Sequence, residues 1–379
     1  MKAYAMTADR PLLLIVLAIL SLGLVMVGSA SINLASTTFD QPFYYFGRQT
    51  IFAVIAVVIA WGALSFRLSF WQKMAPYLLV AGIALLIVVL IPGIGREVNG
   101  SRRWLPLGPI NIQVAEIIKL FSIIYIADYL QRHRSQLKES FFKILAPLVL
   151  VAVAAGLLLA QPDFGSVVVI VSTVLAMLFL GGSRVDVFVA LIAVLAIGFV
   201  AIVYFEPYRL NRVKSFIDPW ADVDKGGYQL AQALIAFGRG DWLGVGLGNS
   251  MQKLAYLPEA HTDFLYSILA EEFGLLGSMS VVTLFSLFIW RALSIGRAAE
   301  LAGQVFGAQI AYGIGIWLGL QAFINMGVNT GVLPTKGLTL PLMSYGGSSL
   351  VIACVAIALL LRVDLETRYP EKASARVKR

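Results

Sequence analysis

Long apolar runs recur along the chain, at roughly 11–33, 46–65, 74–92, 112–130, 143–160, 166–182, 187–205, 264–290, 305–330 and 348–362. A helix crosses a bilayer with about 20 mostly apolar residues. The pattern therefore predicts an all-α integral membrane protein of about ten transmembrane helices, an even number that leaves both ends on one side. The first run is followed by small residues, Gly28 to Ser31. It is longer than the roughly 7–15-residue core of a signal peptide and more spans follow, so it reads as a retained helix. The alternation breaks between the seventh and eighth runs, where a large outer loop covers about 206–262. Loops beyond about 12–15 residues are uncommon and often functional. Within this one, the apolar stretch from Gln229 to Phe237 predicts a short helix lying along the membrane surface. Glycines at 238, 240, 244, 246 and 248 then predict turns. They lack the strand and βαβ frame of a dinucleotide fingerprint.

Composition narrows the class. Hydrophobic residues make up 59% and charged residues 13%, with a mean hydropathy of +0.84. A soluble domain carries about 25% charge, so a soluble enzyme is excluded. The single cysteine, Cys354, and two histidines, His133 and His261, exclude a disulfide framework and a histidine-rich zinc site. Neither a P-loop nor a Gly-x-Ser-x-Gly elbow is present. The net charge of +8 needs no nucleic acid. Of the 29 Lys and Arg, 17 fall on the side of the chain ends, most clearly at the tail and between Arg132 and Lys143, the bias expected of cytoplasmic loops. Residues 1–10 and 366–379 thus read as cytoplasmic tails around a membrane domain, 11–365. The remaining basic residues cluster on the opposite side, near 96–103 and 209–253.

Ionisable groups inside a membrane cost about 2.5–3.5 kcal/mol each on insertion scales, so their positions point to function. Glu116 and Lys119 are three apart and share a helix face. They are either an ion pair that fixes packing or direct participants. Around Asp263 the chain reads Leu-Pro-Glu259-Ala-His261-Thr-Asp263-Phe. Thr262 is the expected N-cap, with Asp263 in the first helical turn. Asp263, Ser267 and Glu271, at i, i+4 and i+8, predict one shared face. Asp263 is then a capping carboxylate or a general base at the membrane surface. Gln321, Asn325 and Asn329 form a polar stripe with the same spacing, read first as helix–helix hydrogen bonding. After it, Pro334, Lys336, Pro341, Ser344 and Gly346-Gly347 predict a non-helical segment. Asp163 occupies a tight turn. Arg102-Arg103-Trp104 either meets an anion or anchors at the interface.

Four stretches carry a family resemblance: Asn99-Gly-Ser-Arg-Arg-Trp104, Gln161-Pro-Asp-Phe-Gly165, Leu257 to Phe264, and Leu340 to Ser349. They resemble signatures of the SEDS (shape, elongation, division and sporulation) family, with the division member the nearer match. One departure is Gln113-Val-Ala-Glu116, where the family usually has proline after the glutamine. The resemblance implies a ten-span glycosyltransferase that polymerises lipid II into septal peptidoglycan and releases undecaprenyl pyrophosphate. It implies Asp263 as the catalytic residue, supported by Glu116, Lys119, Arg103, Asp163, His261, Glu259, Ser344 and Lys336. Arg209, Arg212 and Lys214 are further candidates for the leaving pyrophosphate. A divalent cation, Mg or Mn, is the candidate cofactor, with Asp263 as a candidate ligand. The implied partners are lipid II, a single-pass class B penicillin-binding transpeptidase and other divisome membrane proteins. The implied place is the bacterial inner membrane, enriched at the septum. A lipid II flippase or transporter and a division scaffold are the competing functions.

Overall fold

The computed structural model describes residues 9–369 except 99, 109, 135–140, 205–215, 222–226 and 335–336. Its helices, in chain order, are α1 (Arg10–Phe39), α2 (Tyr44–Ser65), α3 (Leu68–Leu90), α4 (Val114–His133), α5 (Phe141–Ala160), α6 (Phe164–Leu180), α7 (Val185–Tyr204), α8 (Tyr228–Gly240), α9 (Leu265–Leu301), α10 (Val305–Asn329) and α11 (Gly347–Arg368). Every apolar run coincides with one of them. Among the described residues, 7 helices are long and apolar enough to cross a membrane. Helices α4, α6 and α7 fall outside this count. Helix α4 carries Glu116, Lys119 and Asp128, and the described apolar parts of α6 and α7, Phe164–Leu180 and Val185–Val194, are short. Helix α8 is the segment predicted between Gln229 and Phe237; it packs on α9, with Phe237 against Tyr266 at 5.6 Å.

Helices α10 and α11 form the centre. Inside the protein lie 72% and 83% of their apolar windows, against 22–33% for the other long helices. The outer helices turn bare apolar side chains outward, as with Val54, Val57, Val58 and Trp61 on α2. Lipid accepts such a surface, provided backbone groups are paired internally.

Both ends of the described chain lie at one end of the bundle. Asp9 caps α1 by accepting from the Leu12 N–H at 2.9 Å. The same buried carboxylate accepts from Arg368, at the end of α11, at 2.6 Å, and from Arg291 on α9.

The opposite end carries two features that hydropathy does not register. The first is a three-stranded antiparallel sheet, β1 (Arg96–Val98), β2 (Ser101–Leu107) and β3 (Ile110–Gln113), which qualifies the all-helical expectation. Trp104 lies opposite both Arg96 and Gln113. Strand β3 runs straight into α4. Val114 takes the first helical position, where proline is favoured, and the Ser348 hydroxyl accepts from the Gln113 N–H just before it at 3.2 Å.

The second feature is a break in α9 at Gly274, whose φ is +65°. Breaking a helix inside a membrane frees backbone groups that must be paired again. The loop 241–246 pairs them. Leu275 and Leu276 donate to the carbonyls of Asp241 and Trp242 at 2.8 and 3.2 Å, and Val245 and Gly246 donate to those of Glu271 and Glu272, both at 3.0 Å. Contact is backbone to backbone, which is why glycine is required: a Cβ on Gly244 (φ +79°) would sit 2.2 Å from the Glu272 carbonyl oxygen. Gly244→Ala should therefore cost about 1–3 kcal/mol from backbone strain alone. It should lower the thermal unfolding midpoint in detergent; an unchanged midpoint would mean that the loop is not held in the break.

Candidate active site

Asp263 lies in the turn that leads into α9. The helix opens at Phe264 with no side-chain cap, so Thr262 is not the N-cap. Its hydroxyl instead donates to the Glu259 carboxylate at 2.6 Å, closing a turn in which Glu259 takes a left-handed φ of +57°. What fixes Asp263 is the amide stripe of α10. Asn325 and Asn329 donate to the Asp263 carbonyl at 2.8 and 3.0 Å. Asn325 also donates to the Leu338 carbonyl at 2.6 Å, and Asn329 accepts from the Ser267 N–H and hydroxyl at 3.1 and 2.7 Å. Gln321 donates to the Thr339 carbonyl at 3.1 Å and accepts from Lys119 at 2.7 Å. The stripe thus does more than join helices: it pins the two non-helical segments of the site.

Lys119 is buried and donates to Glu116 at 2.6 Å, with its ammonium 5.3 Å from the Trp317 ring centre. The pair is internal, and through Gln321 it sets the height of the 338–339 segment. Gly337 follows from that placement. A Cβ there would lie 2.9 Å from an Asp263 carboxylate oxygen, so the carboxylate rests against exposed backbone.

The surrounding charges tune this carboxyl. Burial, then the neighbouring Glu259, push the Asp263 pKa up to about 7; Arg103 opposes them and Asp163 adds to them. A carboxyl with no ion-pair partner among the described residues, beside like charges, titrates high for these two reasons. Burial also lowers the pKa of His261, against the pull of Glu259, which favours the neutral imidazole.

Asp163 caps α6, accepting from the Ser166 N–H at 3.2 Å and its hydroxyl at 2.8 Å, as its turn position suggested. Arg103 donates to the carbonyls of Gln161 and Pro162 at 3.0 and 2.7 Å, which ties β2 to that turn. The Ser344 hydroxyl accepts from the Leu340 N–H at 3.0 Å. Lys336, Arg209, Arg212 and Lys214 lie outside the described residues. Glu271 does not accompany Asp263. It is fully buried two turns further on, accepting from Arg239 at 2.6 Å, from the Ser250 hydroxyl, and from the Met251 and Gln252 N–H groups at 3.0 and 3.2 Å. Glu272 pairs with Lys253 at 2.8 Å and accepts from Ser29.

No group of three or more His, Cys, Asp or Glu among the described residues is placed to hold a metal ion. Each Asp163 oxygen accepts one hydrogen bond from Ser166, which sets that carboxylate as the cap of α6. The donor set does not form a protein cage for a cation.

Sequence reasoning passed over Gln49, whose one signal is an amide inside the second apolar run. Its side chain donates to the Ser344 carbonyl at 3.1 Å and accepts from the Gly346 N–H at 3.3 Å.

The model of the FtsW, RodA and SpoVE family, described as "Cell cycle protein", matches residues 10–369. The chain belongs to the FtsW/RodA/SpoVE family. Among relatives, it is 58% identical over 370 residues to the probable peptidoglycan glycosyltransferase FtsW of Nitrosococcus halophilus, covering 98% of this chain and 95% of that one. It is 52% identical to the protein of that name from Methylococcus capsulatus, covering 94% and 90%. One solved chain, from work titled "Structural coordination of polymerization and crosslinking by a peptidoglycan synthase complex", aligns with a TM-score of 0.80 at 28% identity, covering 95% of this chain and 98% of that one. The rod shape determining protein RodA of Thermus thermophilus aligns with a TM-score of 0.69 at 27% identity, covering 95% and 97%. As an FtsW/RodA/SpoVE member with these helices, the chain is an integral protein of the bacterial inner membrane.

Proposed function

We propose that this protein is a septal peptidoglycan glycosyltransferase, polymerising lipid II during cell division with Asp263 as general base. The observation that carries the proposal is a single carboxyl lifted to about 7 and held by its own backbone at the loop-bearing end of a membrane bundle. A base is most effective when its pKa lies near the working pH. In this reading the end with the sheet and Asp263 faces outward, and the chain ends face the cytoplasm.

The acceptor sugar of one lipid-linked disaccharide places its 4-hydroxyl at Asp263. The carboxylate takes that proton as the oxygen attacks the anomeric carbon of the other glycan. The new oxygen–carbon bond forms while the bond from that carbon to the pyrophosphate oxygen breaks, and undecaprenyl pyrophosphate leaves with the bonding pair. Arg103, whose charge acts on Asp263, is the described cation assigned to the developing charge, which a fixed positive group stabilises. Lys119 and Glu116 act at one remove, by holding Gln321 and the segment beside Asp263. A divalent cation, Mg or Mn, belongs to the proposal with Asp263 as the residue that would hold it, and it would supply Lewis-acid stabilisation of the charge on the leaving pyrophosphate. No step above is routed through it. The proposal includes a single-pass class B penicillin-binding transpeptidase that cross-links the product, and other divisome membrane proteins.

The test is polymerisation of purified lipid II by the detergent-solubilised protein together with its transpeptidase, followed across pH. Glycan strands should form, and kcat/KM should rise with pH through about 7 as Asp263 ionises. Glu259→Gln removes a like charge and should move the midpoint down; Arg103→Gln should move it up. Transport of lipid II across a vesicle with no polymer formed would overturn the proposal.

A further inference from the structure

The end of the bundle that carries Asp263 has a feature that this reaction does not use. Tyr45 on α2, His261 in the turn before Asp263, and Tyr345 ahead of α11 bring three rings together. Their centroids lie 4.7 Å apart for Tyr45–His261, 5.1 Å for Tyr45–Tyr345 and 5.5 Å for His261–Tyr345. The planes meet at 46°, 87° and 47°, which makes a cup and not a stack.

Two observations separate this cup from ordinary packing. Each of the three residues is only half-buried. The hydroxyls of Tyr45 and Tyr345 make no hydrogen bond among the described residues and neither is a sealed polar atom; the Arg48 charge on α2 acts on both. The rings are also braced from behind. Tyr44 packs edge-on against Tyr45 at 5.4 Å and stacks on Phe39 at 4.1 Å, while Arg48 donates to the Tyr44 hydroxyl at 2.9 Å. Gln49 clamps the residues on both sides of Tyr345, and the Tyr345 N–H donates to the His261 carbonyl at 3.0 Å. Half-buried rings on a fixed frame, with phenolic hydroxyls that the described residues do not use, are the arrangement of a preorganised binding surface.

We propose that the Tyr45–His261–Tyr345 cup is a saccharide subsite that receives one pyranose ring of the lipid-linked disaccharide beside Asp263. A pyranose has an apolar C–H face and a rim of hydroxyls. A ring face with a free phenolic hydroxyl complements both, since tyrosine joins an apolar body to a polar tip. His261 is two residues from Asp263 in the same turn, and the Glu259 charge acts on Tyr45, His261 and Asp263 alike, which puts the cup and the carboxylate in one neighbourhood. The assignment rests on the glycosyltransferase reading.

Tyr45→Leu and Tyr345→Leu keep apolar bulk and remove the ring; the phenylalanine variants keep the ring. With lipid II and the transpeptidase present, each leucine variant should raise KM about tenfold, the loss of roughly one ring contact, with kcat little changed. The phenylalanine variants should recover most of that. In an Asp263→Asn background, which binds without turnover, the leucine changes should weaken lipid II binding by a similar factor. Lipid II should also protect Tyr45 and Tyr345 of the Asp263→Asn protein from hydroxyl acetylation, a readout that needs no ring variant to fold. Unchanged KM, affinity and acetylation would overturn the subsite. So would unchanged KM with weakened transpeptidase binding, which would make the cup a partner contact. If the wild-type protein makes no polymer, the glycosyltransferase reading fails instead.

Discussion

Asp263→Asn should reduce polymerisation by about 10²–10⁴-fold, the usual contribution of a general base, without lowering stability. The second half follows from the titration. An aspartate with an ordinary pKa of 3.8 is pushed up to about 7 here. Between those values the folded protein keeps a proton that the unfolded chain has released. The stability associated with neutral Asp263 is therefore complete at low pH and is lost as pH rises through about 7. Asparagine has the same shape and cannot ionise, so above pH 7 the variant should unfold at the same temperature as the wild type or a higher one. A gel-based polymerisation assay and a thermal melt in the same detergent check both halves. A variant that polymerises normally would remove Asp263 from the chemistry; one that melts early would make it a structural cap.

Lys119→Met should be the most damaging change away from Asp263. It leaves the Glu116 charge buried without its partner, a loss of about 3–5 kcal/mol, and it releases Gln321 from one of its three partners, leaving Trp317 and Thr339. Activity should fall with stability. Adding Glu116→Gln removes the stranded charge, and the double variant should regain most of the unfolding midpoint, because buried ion pairs are often replaceable by neutral groups of similar volume. Activity should return with it if the pair serves only to position the 338–339 segment. A double variant that melts like the wild type but makes no polymer would give Lys119 a direct part in the reaction.

The sequence carried the spans well, because hydropathy depends on composition and not on partners. It carried the Glu116–Lys119 pair and the Asp163 turn for a related reason: both are local, with partners three residues away. Long-range partners were invisible. Glu271 shares a helical spacing with Asp263, but Arg239 and Ser250, reached through the intervening loop, claim it. The amides at 321, 325 and 329 looked like glue between helices because the carbonyls they hold, at 263, 338 and 339, belong to segments with no periodic pattern. The break at Gly274 was hidden within one continuous apolar run, since a glycine there leaves hydropathy almost unchanged.

That break has a mechanical consequence. It separates residues 265–273 from the rest of α9 as a strut about 14 Å long at 1.5 Å per residue. One end of the strut is Asp263, fastened by the side chains of α10; the other is gripped by the loop that fills the break and by the side chains gathered on Glu271 and Glu272. A load on that loop is shared between the strut, which leads to the carboxyl, and the remainder of α9, which the loop holds through Leu275 and Leu276. The loop 241–246 is thus coupled to the site as a handle is to a lever.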